Sequence, residues 1–283
     1  MAPSFKTWFI TGCSTGFGRI LSEMALQRGD RVIATARKLS TLEGLRSHAK
    51  TPDHLALYEL DVNQTEQIRQ VVKTAAETMG RIDVLVNNAG YGYVGALEET
   101  DPQEIRNVFD TNVFGLIEVT RALLPHMRAQ KGGHIINLSS VAGMSGTPGA
   151  GIYNATKFAV EGLSEALAGE LSSFGIKVTL IEPGAFRTDF ANRSLRVAAY
   201  MPEYAEALAV TRHYYETIGG RQPGDPVEAA RAILKVVDHP KPPLRLPMGK
   251  IALARIRSKI DQYQKEMQDW ESTILETDYP EHR

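Results

Sequence analysis

The chain is poor in cysteine, in long apolar runs and in net charge. Cys13 is the single cysteine among 283 residues, which excludes an internal disulfide and a cluster of cysteine ligands and fits a reducing compartment. No apolar run approaches the roughly 18 residues that a membrane-spanning helix needs. Residues 1–10 leave no room for a cleavable signal peptide ahead of the first strand. We therefore expect a cytoplasmic protein without a membrane partner.

The charge pattern also argues against nucleic acid as a partner. The formal net charge is -1, and no segment has a dense run of lysine and arginine that attracts phosphate backbones. The histidines lack the paired spacing of metal ligands, so no metal site is expected. They stand at His48, His54, His126, His134, His213, His239 and His282.

Short apolar runs alternate with longer helical patterns along the chain. This alternation is typical of βαβ units and of a parallel sheet covered by helices on both faces. The predicted strands are 7–11, 31–35, 55–60, 84–87, 134–139, 177–182 and 244–246, and the predicted helices are 18–28, 65–79, 102–130, 153–174, 226–237 and 250–270. We expect one three-layer α/β/α domain over residues 1–283, with a flap at about 185–224 and a C-terminal helical extension at about 240–283.

One predicted helix has a regular leucine stripe. Leu163, Leu167 and Leu171 recur every fourth position, which suits burial against the sheet or against a second subunit. Packing in the core is the favoured interpretation.

A glycine-rich turn connects the first predicted strand to the first helix. The sequence Thr11-Gly12-Cys13-Ser14-Thr15-Gly16-Phe17-Gly18 lets the backbone turn tightly and approach a pyrophosphate. The free N–H groups and positive end of the helix then face the phosphate charge. The turn predicts a dinucleotide site, with Cys13 as a small neighbouring side chain.

The end of the second strand indicates which dinucleotide is bound. NAD-selective nucleotide folds place an acidic residue there to hold the ribose 2′-hydroxyl. Here the sequence reads Ala36-Arg37-Lys38, which has no carboxylate to repel a 2′-phosphate and offers a guanidinium to bind it. NADP(H) is therefore expected in preference to NAD(H). The alternative is that Arg37 and Lys38 only belong to a surface turn.

Tyr153 and Lys157 form a candidate acid–base pair. Four residues apart on a helix, they share a face. A free tyrosine has a pKa of about 10, and a nearby ammonium together with a positive nicotinamide favours the phenolate. Alone, such a pair is common by chance, and an ordinary surface helix face is then the favoured interpretation.

Further residues in a fixed order make this pair specific. Ser140 closes a predicted strand ahead of Tyr153, and Asn87-Asn88-Ala89-Gly90 closes another. With Asp61-Val62, Asn112, Pro183-Gly184 and the glycine turn, they span residues 7 to about 190 in the order typical of one family. The chain resembles the short-chain dehydrogenase/reductase family. The resemblance implies a doubly wound parallel-sheet Rossmann fold and an oxidoreductase acting on CH-OH groups.

The resemblance also implies a catalytic role for four residues. Tyr153 gives a proton to the carbonyl oxygen during reduction and takes it back during oxidation. Ser140 holds that oxygen and stabilises its growing charge. Lys157 lowers the pKa of Tyr153 and binds the nicotinamide ribose, while Asn112 anchors a water for a proton relay toward Lys157. The alternative for Asn112 is that it satisfies backbone groups inside a long helix.

In the same family, Asp61 contacts the adenine amine beside Val62, and Thr188 contacts the nicotinamide amide. The complete predicted cofactor set is Gly12, Ser14, Thr15, Gly16, Phe17, Gly18, Arg37, Lys38, Asp61, Val62, Asn88, Ala89, Gly90, Tyr153, Lys157, Pro183, Gly184, Phe186 and Thr188. One departure stands out. Many NADP-preferring members carry a basic residue inside the glycine turn, whereas this chain has Cys13, Ser14 and Thr15 there.

The substrate walls are expected from the segments after Gly90, Ser140 and Pro183. These segments supply Tyr91, Tyr93, Val94, Val141, Met144, Phe186, Phe190, Tyr200, Met201 and Tyr204, and Arg187, Arg193 and Arg196 are candidates for a carboxylate clamp. The apolar and aromatic mixture favours a moderately lipophilic ketone, aldehyde or secondary alcohol. The alternative is that most of the aromatics pack the flap itself.

The sequence thus predicts an NADP(H)-dependent carbonyl reductase or alcohol dehydrogenase. The resemblance implies a homodimer or homotetramer that associates through the helices near Asn112 and Tyr153. One alternative is an NADP(H)-binding redox sensor or scaffold without turnover, which predicts missing catalytic residues, and none is missing. Another is a dehydratase or epimerase, whose substrate domain is usually longer.

Overall fold

A computed structural model describes residues 5–279; residues 1–4 and 280–283, including His282, lie outside this range. Nine strands are described. They are β1 (Thr7–Ile10), β2 (Arg31–Ala36), β3 (Leu55–Glu59), β4 (Val84–Asn87), β5 (Gly92–Val94), β6 (Gly133–Leu138), β7 (Ile176–Pro183), β8 (Leu195–Val197) and β9 (Arg245–Met248).

Seven of these strands form one parallel sheet in the order β3-β2-β1-β4-β6-β7-β9. The order reverses between β1 and β4, where Trp8 pairs with Val84 and Ile10 with Val86. In open α/β sheets, ligands bind outside the carboxyl ends of the strands at such a switch point. The predicted doubly wound parallel-sheet Rossmann fold is confirmed.

Helices cover both faces of the sheet. They are α1 (Gly16–Arg28), α2 (Thr65–Met79), α3 (Pro102–Phe109), α4 (Gly115–Ala129), α5 (Gly151–Leu171), α6 (Phe190–Arg193), α7 (Ala209–Thr217), α8 (Pro226–Asp238), α9 (Lys250–Asp269) and α10 (Glu271–Leu275). Among the helices of residues 5–279, none is both long and apolar enough to cross a membrane.

The core has two layers because successive strand side chains point to opposite faces. Trp8 and Ile10 of β1 pack in the layer beneath α1 and α8, whereas Phe9 packs in the layer beneath α2, α4 and α5. Leu167 and Leu171 are buried in that second layer, with Leu163 packed against it. The leucine stripe of α5 therefore serves the core, as favoured.

The structure departs from the predicted single helix over 102–130. A wider π-helical turn, Asp110–Phe114, separates α3 from α4 and contains Asn112. Such turns often lie at functional sites. The spacing of apolar residues did not predict this turn, whose Asn112 bonds to Tyr91 and Thr156, both distant in sequence.

The flap contains regular structure that the sequence did not indicate. Strand β8 pairs in parallel with β5, with Gly92 opposite Leu195. Glu99, whose side chain is fully buried, accepts hydrogen bonds from the backbone N–H groups of Ala96 (2.7 Å) and Met201 (3.0 Å) and forms an ion pair with Arg212. These contacts attach the flap to the loop that follows β5.

Candidate active site

The carboxyl ends of the central strands open into one large cavity of about 690 Å³. This volume lies within the usual range of ligand pockets, roughly 300–1,000 Å³. Most of the predicted cofactor residues line it. They are Gly12, Ser14, Thr15, Gly16, Phe17, Arg37, Asp61, Val62, Asn88, Ala89, Gly90, Tyr153, Lys157, Pro183, Gly184, Phe186 and Thr188.

The glycine turn forms one wall of this cavity. Gly12 and Gly16 have φ values of 72° and 60°, the left-handed region that glycine tolerates. Helix α1 begins beside them with Thr15 in an extended conformation and no side-chain hydrogen bond from it to the helix, and the first turn has no acidic residue. The start of α1 therefore presents N–H groups suited to an anion.

Two residues of the turn lie beneath it and away from the cavity. A Cβ added at Gly18 would lie 2.4 Å from Asn88 Nδ2 and 2.7 Å from the Gly12 carbonyl oxygen. Cys13 is fully buried, and its Sγ donates to the Ile10 carbonyl at 3.2 Å. Burial raises the pKa of the Cys13 thiol to about 11, so Cys13 is a packing residue without thiolate character.

Arg37 is exposed at the end of β2, directly after buried Ala36, and lines the cavity. Lys38 is also exposed but does not line the cavity. Of the two basic residues, only Arg37 faces the site.

Ser140, Tyr153 and Lys157 meet on the cavity wall at the ends of β6 and α5. The Ser140 hydroxyl lies near enough to the Tyr153 phenol to lower its pKa, and Ser140 Oγ accepts from the Ala142 N–H at 3.1 Å. Tyr153 and Lys157 are 8% and 7% exposed, and Lys157 Nζ lies 5.8 Å from the centroid of the Tyr153 ring. Lys157 Nζ donates to the Leu138 carbonyl at 2.6 Å, which fixes the ammonium at the end of β6.

The pKa of Tyr153 is not lowered by Lys157, contrary to the expectation from the sequence. Burial raises the pKa of Tyr153 well above its ordinary value, and the nearby Ser140 hydroxyl only partly opposes the rise. Burial also lowers the pKa of Lys157 to about 8, opposed by the charge of Glu161. The protein's own side chains therefore do not produce the lowered tyrosine pKa, and an effect of the nicotinamide charge stays a prediction.

Asn112 is 1% exposed and its side-chain amide is fully engaged. Its Oδ1 accepts from the Tyr91 N–H, and its Nδ2 donates to the Tyr91 carbonyl, both at 2.9 Å, and to Thr156 Oγ1 at 3.2 Å. These bonds hold the loop after β4 against α5. Asn112 therefore satisfies backbone groups, as in the alternative to catalysis, but the groups belong to Tyr91 and not to its own helix. The relay role of Asn112 stays a prediction.

A buried carboxyl cluster next to Lys157 was not predicted. Glu161 and Glu182 are 4% and 1% exposed, and Arg245 Nε lies 2.9 Å from Glu161 Oε2 and 3.8 Å from Glu182 Oε1. Burial, with the charge of Glu161, raises the pKa of Glu182 to about 7. Glu161 stands one turn after Lys157, a spacing that could have signalled the cluster, but Arg245 comes from a distant strand.

The substrate end of the cavity is mainly apolar. Of the predicted wall residues, Tyr91, Val141, Phe186 and Phe190 line it, as do Arg193 and Arg196. Phe190 packs against Tyr153 with ring centroids 5.8 Å apart. The other predicted wall residues and Arg187 are not among the lining residues; Tyr93 and Val94, for example, are buried in β5. Lining residues that the sequence did not indicate include Val210, Tyr214, Tyr215, Ile218 and Ile251.

Known proteins share this architecture. The family model of short chain dehydrogenases matches residues 6–197. The oxidoreductase BOA17 of Botryotinia fuckeliana is 40% identical over 248 residues, covering 88% of this chain and 90% of that protein. A 3-ketodihydrosphingosine reductase of Bacteroides thetaiotaomicron is 38% identical over 244 residues, covering 86% and 87%.

Solved structures of short-chain dehydrogenases are also similar to this chain. A short-chain dehydrogenase from Streptomyces avermitilis has a TM-score of 0.92 and 43% identity, covering 98% of this chain and 100% of that chain. A short-chain dehydrogenase/reductase from Burkholderia phymatum, solved in complex with NAD, has a TM-score of 0.79 and 25% identity, covering 93% and 95%. Since the family model matches more than half of the chain, this protein belongs to the short-chain dehydrogenase family of oxidoreductases.

Proposed function

We propose that this chain is an NADP(H)-dependent oxidoreductase that interconverts a carbonyl compound and the corresponding alcohol, with Tyr153 as general acid and base. The observation that carries the proposal is the convergence of Ser140, Tyr153 and Lys157 on the cavity that also holds the glycine turn and Arg37. One end of this cavity suits the phosphates of a nucleotide, and the other suits proton transfer to a substrate oxygen.

The residues present fit a nicotinamide nucleotide. The N–H groups at the start of α1 suit a pyrophosphate, and the exposed Arg37 guanidinium suits a 2′-phosphate. Lys157 and Thr188 also line the cavity, where they would bind the nicotinamide ribose and amide. When bound, this group supplies or accepts the hydride.

The protein's own residues move the proton. Burial keeps the Tyr153 phenol protonated, which suits donation to a carbonyl oxygen during reduction. The Ser140 hydroxyl, next to that phenol, holds the same oxygen as its charge grows. Oxidation requires the phenolate, so the Tyr153 phenol first loses its proton to solvent, and the phenolate then takes the proton of the alcohol. Lys157, with a pKa of about 8, is still mainly cationic at neutral pH and would stabilise this phenolate.

We propose a moderately lipophilic substrate. The aromatic and aliphatic residues at the Tyr153 end of the cavity favour an apolar ketone, aldehyde or secondary alcohol. The similarity to a protein named 3-ketodihydrosphingosine reductase supports this class. Arg193 and Arg196 add positive charge, but Arg196 is already paired with Glu104 at 2.6 Å.

We further propose that residues 1–283 form one domain and that the chain acts in the cytoplasm as a homodimer or homotetramer. The cavity takes residues from Gly12 to Arg255, which supports a single folding unit. Phe114, in the π-turn before α4, and Phe158 of α5 are 55% and 47% exposed, as expected for an interface formed by these helices.

The decisive experiment measures NADPH oxidation by the purified protein against a panel of apolar ketones and aldehydes. We expect turnover that Tyr153→Phe lowers by at least about 100-fold, the lower end of a general-acid contribution. Tyr279→Phe removes the same hydroxyl from an exposed residue outside the cavity and is expected to leave turnover unchanged. Nucleotide binding without turnover of any substrate, with Tyr153→Phe equal to wild type, would instead support a sensor or scaffold.

A further inference from the structure

Helix α9 extends beyond the rest of the structure. Its first turns pack on the enzyme, where Ala252 and Ile256 are buried together with Val141. Every residue from 260 to 279 is exposed. We call residues 260–279 the arm. At 1.5 Å per residue, its helical part reaches about 20 Å.

The arm has a regular apolar stripe. Ile260, Tyr263, Met267 and Trp270 follow Ile256 at alternating spacings of four and three residues, so they continue the face that Ala252 and Ile256 bury. These four side chains are 53%, 58%, 42% and 63% exposed. A mean spacing of 3.5 residues is the pattern by which one helix packs along another. A short helix without such packing is only marginally stable in water.

We propose that the arm packs antiparallel against the arm of a second copy of this chain. A two-fold interface requires a surface that is complementary to itself. The stripe meets this condition, because antiparallel pairing about its midpoint near residue 265 brings Tyr263 of each copy opposite Met267 of the other. Sulfur–aromatic contacts of this kind are favourable.

The charge distribution along α9 favours antiparallel over parallel pairing of the two arms. The arm has one basic residue, Lys265, and six acidic residues, Asp261, Glu266, Asp269, Glu271, Glu276 and Asp278. The charged residues of the preceding turns are all basic; Arg255 is bonded to Ser145 and Thr147, which leaves Lys250, Arg257 and Lys259 as the cations toward a partner. Antiparallel pairing brings the acidic end of one arm toward the basic turns of the other copy, whereas parallel pairing brings acid against acid. The same acidic excess opposes binding to an anionic membrane surface.

This interface is separate from the one proposed at Phe114 and Phe158, which lies on α5 and at the start of α4. Two different two-fold interfaces on one chain join dimers into a closed tetramer when their axes cross at right angles. The arm therefore accounts for the larger of the two assemblies expected for this protein.

The mass in solution, measured by light scattering during gel filtration, tests the interface. Met267→Lys places a charge in the stripe, and Gln268→Lys places the same residue on a neighbouring exposed position outside it. We expect Met267→Lys to halve the mass and Gln268→Lys to keep the wild-type value. Equal masses for wild type and Met267→Lys overturn the proposal, as does an equal loss in both variants. Both positions are exposed, and circular dichroism checks that the fold is retained.

Spin labels test the direction independently. Native Cys13 is buried, so labels are attached at Lys265→Cys or Thr273→Cys. Antiparallel pairing predicts a short distance at 265 and a distance longer by at least about 15 Å at 273. Two short distances, or no dipolar coupling at either site, overturn the proposal.

Flotation with phosphatidylcholine vesicles is a third measurement. Lipid binding that Met267→Lys abolishes without a change in mass assigns the stripe to a membrane instead.

Discussion

The side-chain amide of Asn88 donates hydrogen bonds to the main-chain carbonyls of Thr11 (2.8 Å) and Gly12 (3.0 Å). Thr11 Oγ1 in return accepts from the N–H groups of Asn88 and Ala89, both at 3.0 Å. The turn after β1 and the turn after β4 are thus held together across the point where the strand order reverses. This clamp fixes the backbone that is expected to approach the pyrophosphate.

Gly18→Ala tests the clamp. The added Cβ would lie 2.4 Å from Asn88 Nδ2 and 2.7 Å from the Gly12 carbonyl oxygen, so the contact between Asn88 and the glycine turn must give way. We expect nucleotide affinity, measured by calorimetric titration with NADPH, to fall at least about tenfold, which corresponds to about 1.4 kcal/mol.

Gly162→Ala is the matched control, because a Cβ at that helical position has nothing within 4 Å among the described residues. It should leave nucleotide affinity unchanged and stabilise the fold by about 0.5–1 kcal/mol. Equal affinities for the two variants would show that Asn88 does not shape the site.

The Glu99–Arg212 pair provides a second prediction, because it joins the flap to the loop after β5. Arg212→Met leaves the buried Glu99 carboxylate without its cation, which should lower the free energy of unfolding by about 3 kcal/mol. The flap is then held less firmly beside the cavity, so we expect KM to rise several-fold while NADPH affinity stays within about twofold.

The control for this pair is Arg231→Met. Arg231 forms its ion pair with Glu228 at the surface of α8, and exposed pairs contribute little. Urea unfolding together with steady-state kinetics distinguishes the variants, and an unchanged KM in Arg212→Met would separate the ion pair from substrate binding.

Local sequence patterns were sufficient for the strands of the seven-stranded sheet and for the position of the glycine turn beside the cavity. Strands such as 84–87 and helices such as 65–79 match the predicted bounds, because apolar runs and helical periodicity are local properties. The π-turn around Asn112 and the pairing of β5 with β8 escaped prediction, since each depends on contacts with distant residues. The Glu161–Glu182–Arg245 cluster escaped for the same reason: its members come from α5, β7 and β9.

That cluster leads to a third prediction, on the pH dependence of stability. The pKa of Glu182 is raised from 4.5 to about 7 in the folded protein, so between these values the folded state binds more protons than the unfolded state. The free energy of unfolding therefore falls as pH rises from about 4.5 to 7, with up to about 3 kcal/mol contributed by this group.

Glu182→Gln mimics the protonated form at every pH. It should flatten the decline between pH 5 and pH 8, measured by urea unfolding, and leave the variant more stable than wild type at pH 8. Glu170→Gln changes an exposed carboxylate of α5 and serves as the control. A decline of equal slope in all three proteins would contradict a protonated Glu182.

The final prediction concerns the choice of cofactor and uses two adjacent residues. Arg37 lines the cavity and Lys38 does not, although both are exposed and basic. Arg37→Asp removes the group expected to bind a 2′-phosphate and adds a carboxylate that repels it and suits a ribose 2′-hydroxyl. We expect the ratio of kcat/KM for NADPH to that for NADH to fall by at least about 100-fold, or about 2.7 kcal/mol. Lys38→Asp makes the same change in charge one residue away, so long-range electrostatics alone would lower the ratio equally in both variants. A much larger fall in Arg37→Asp therefore assigns the selectivity to the guanidinium at the end of β2.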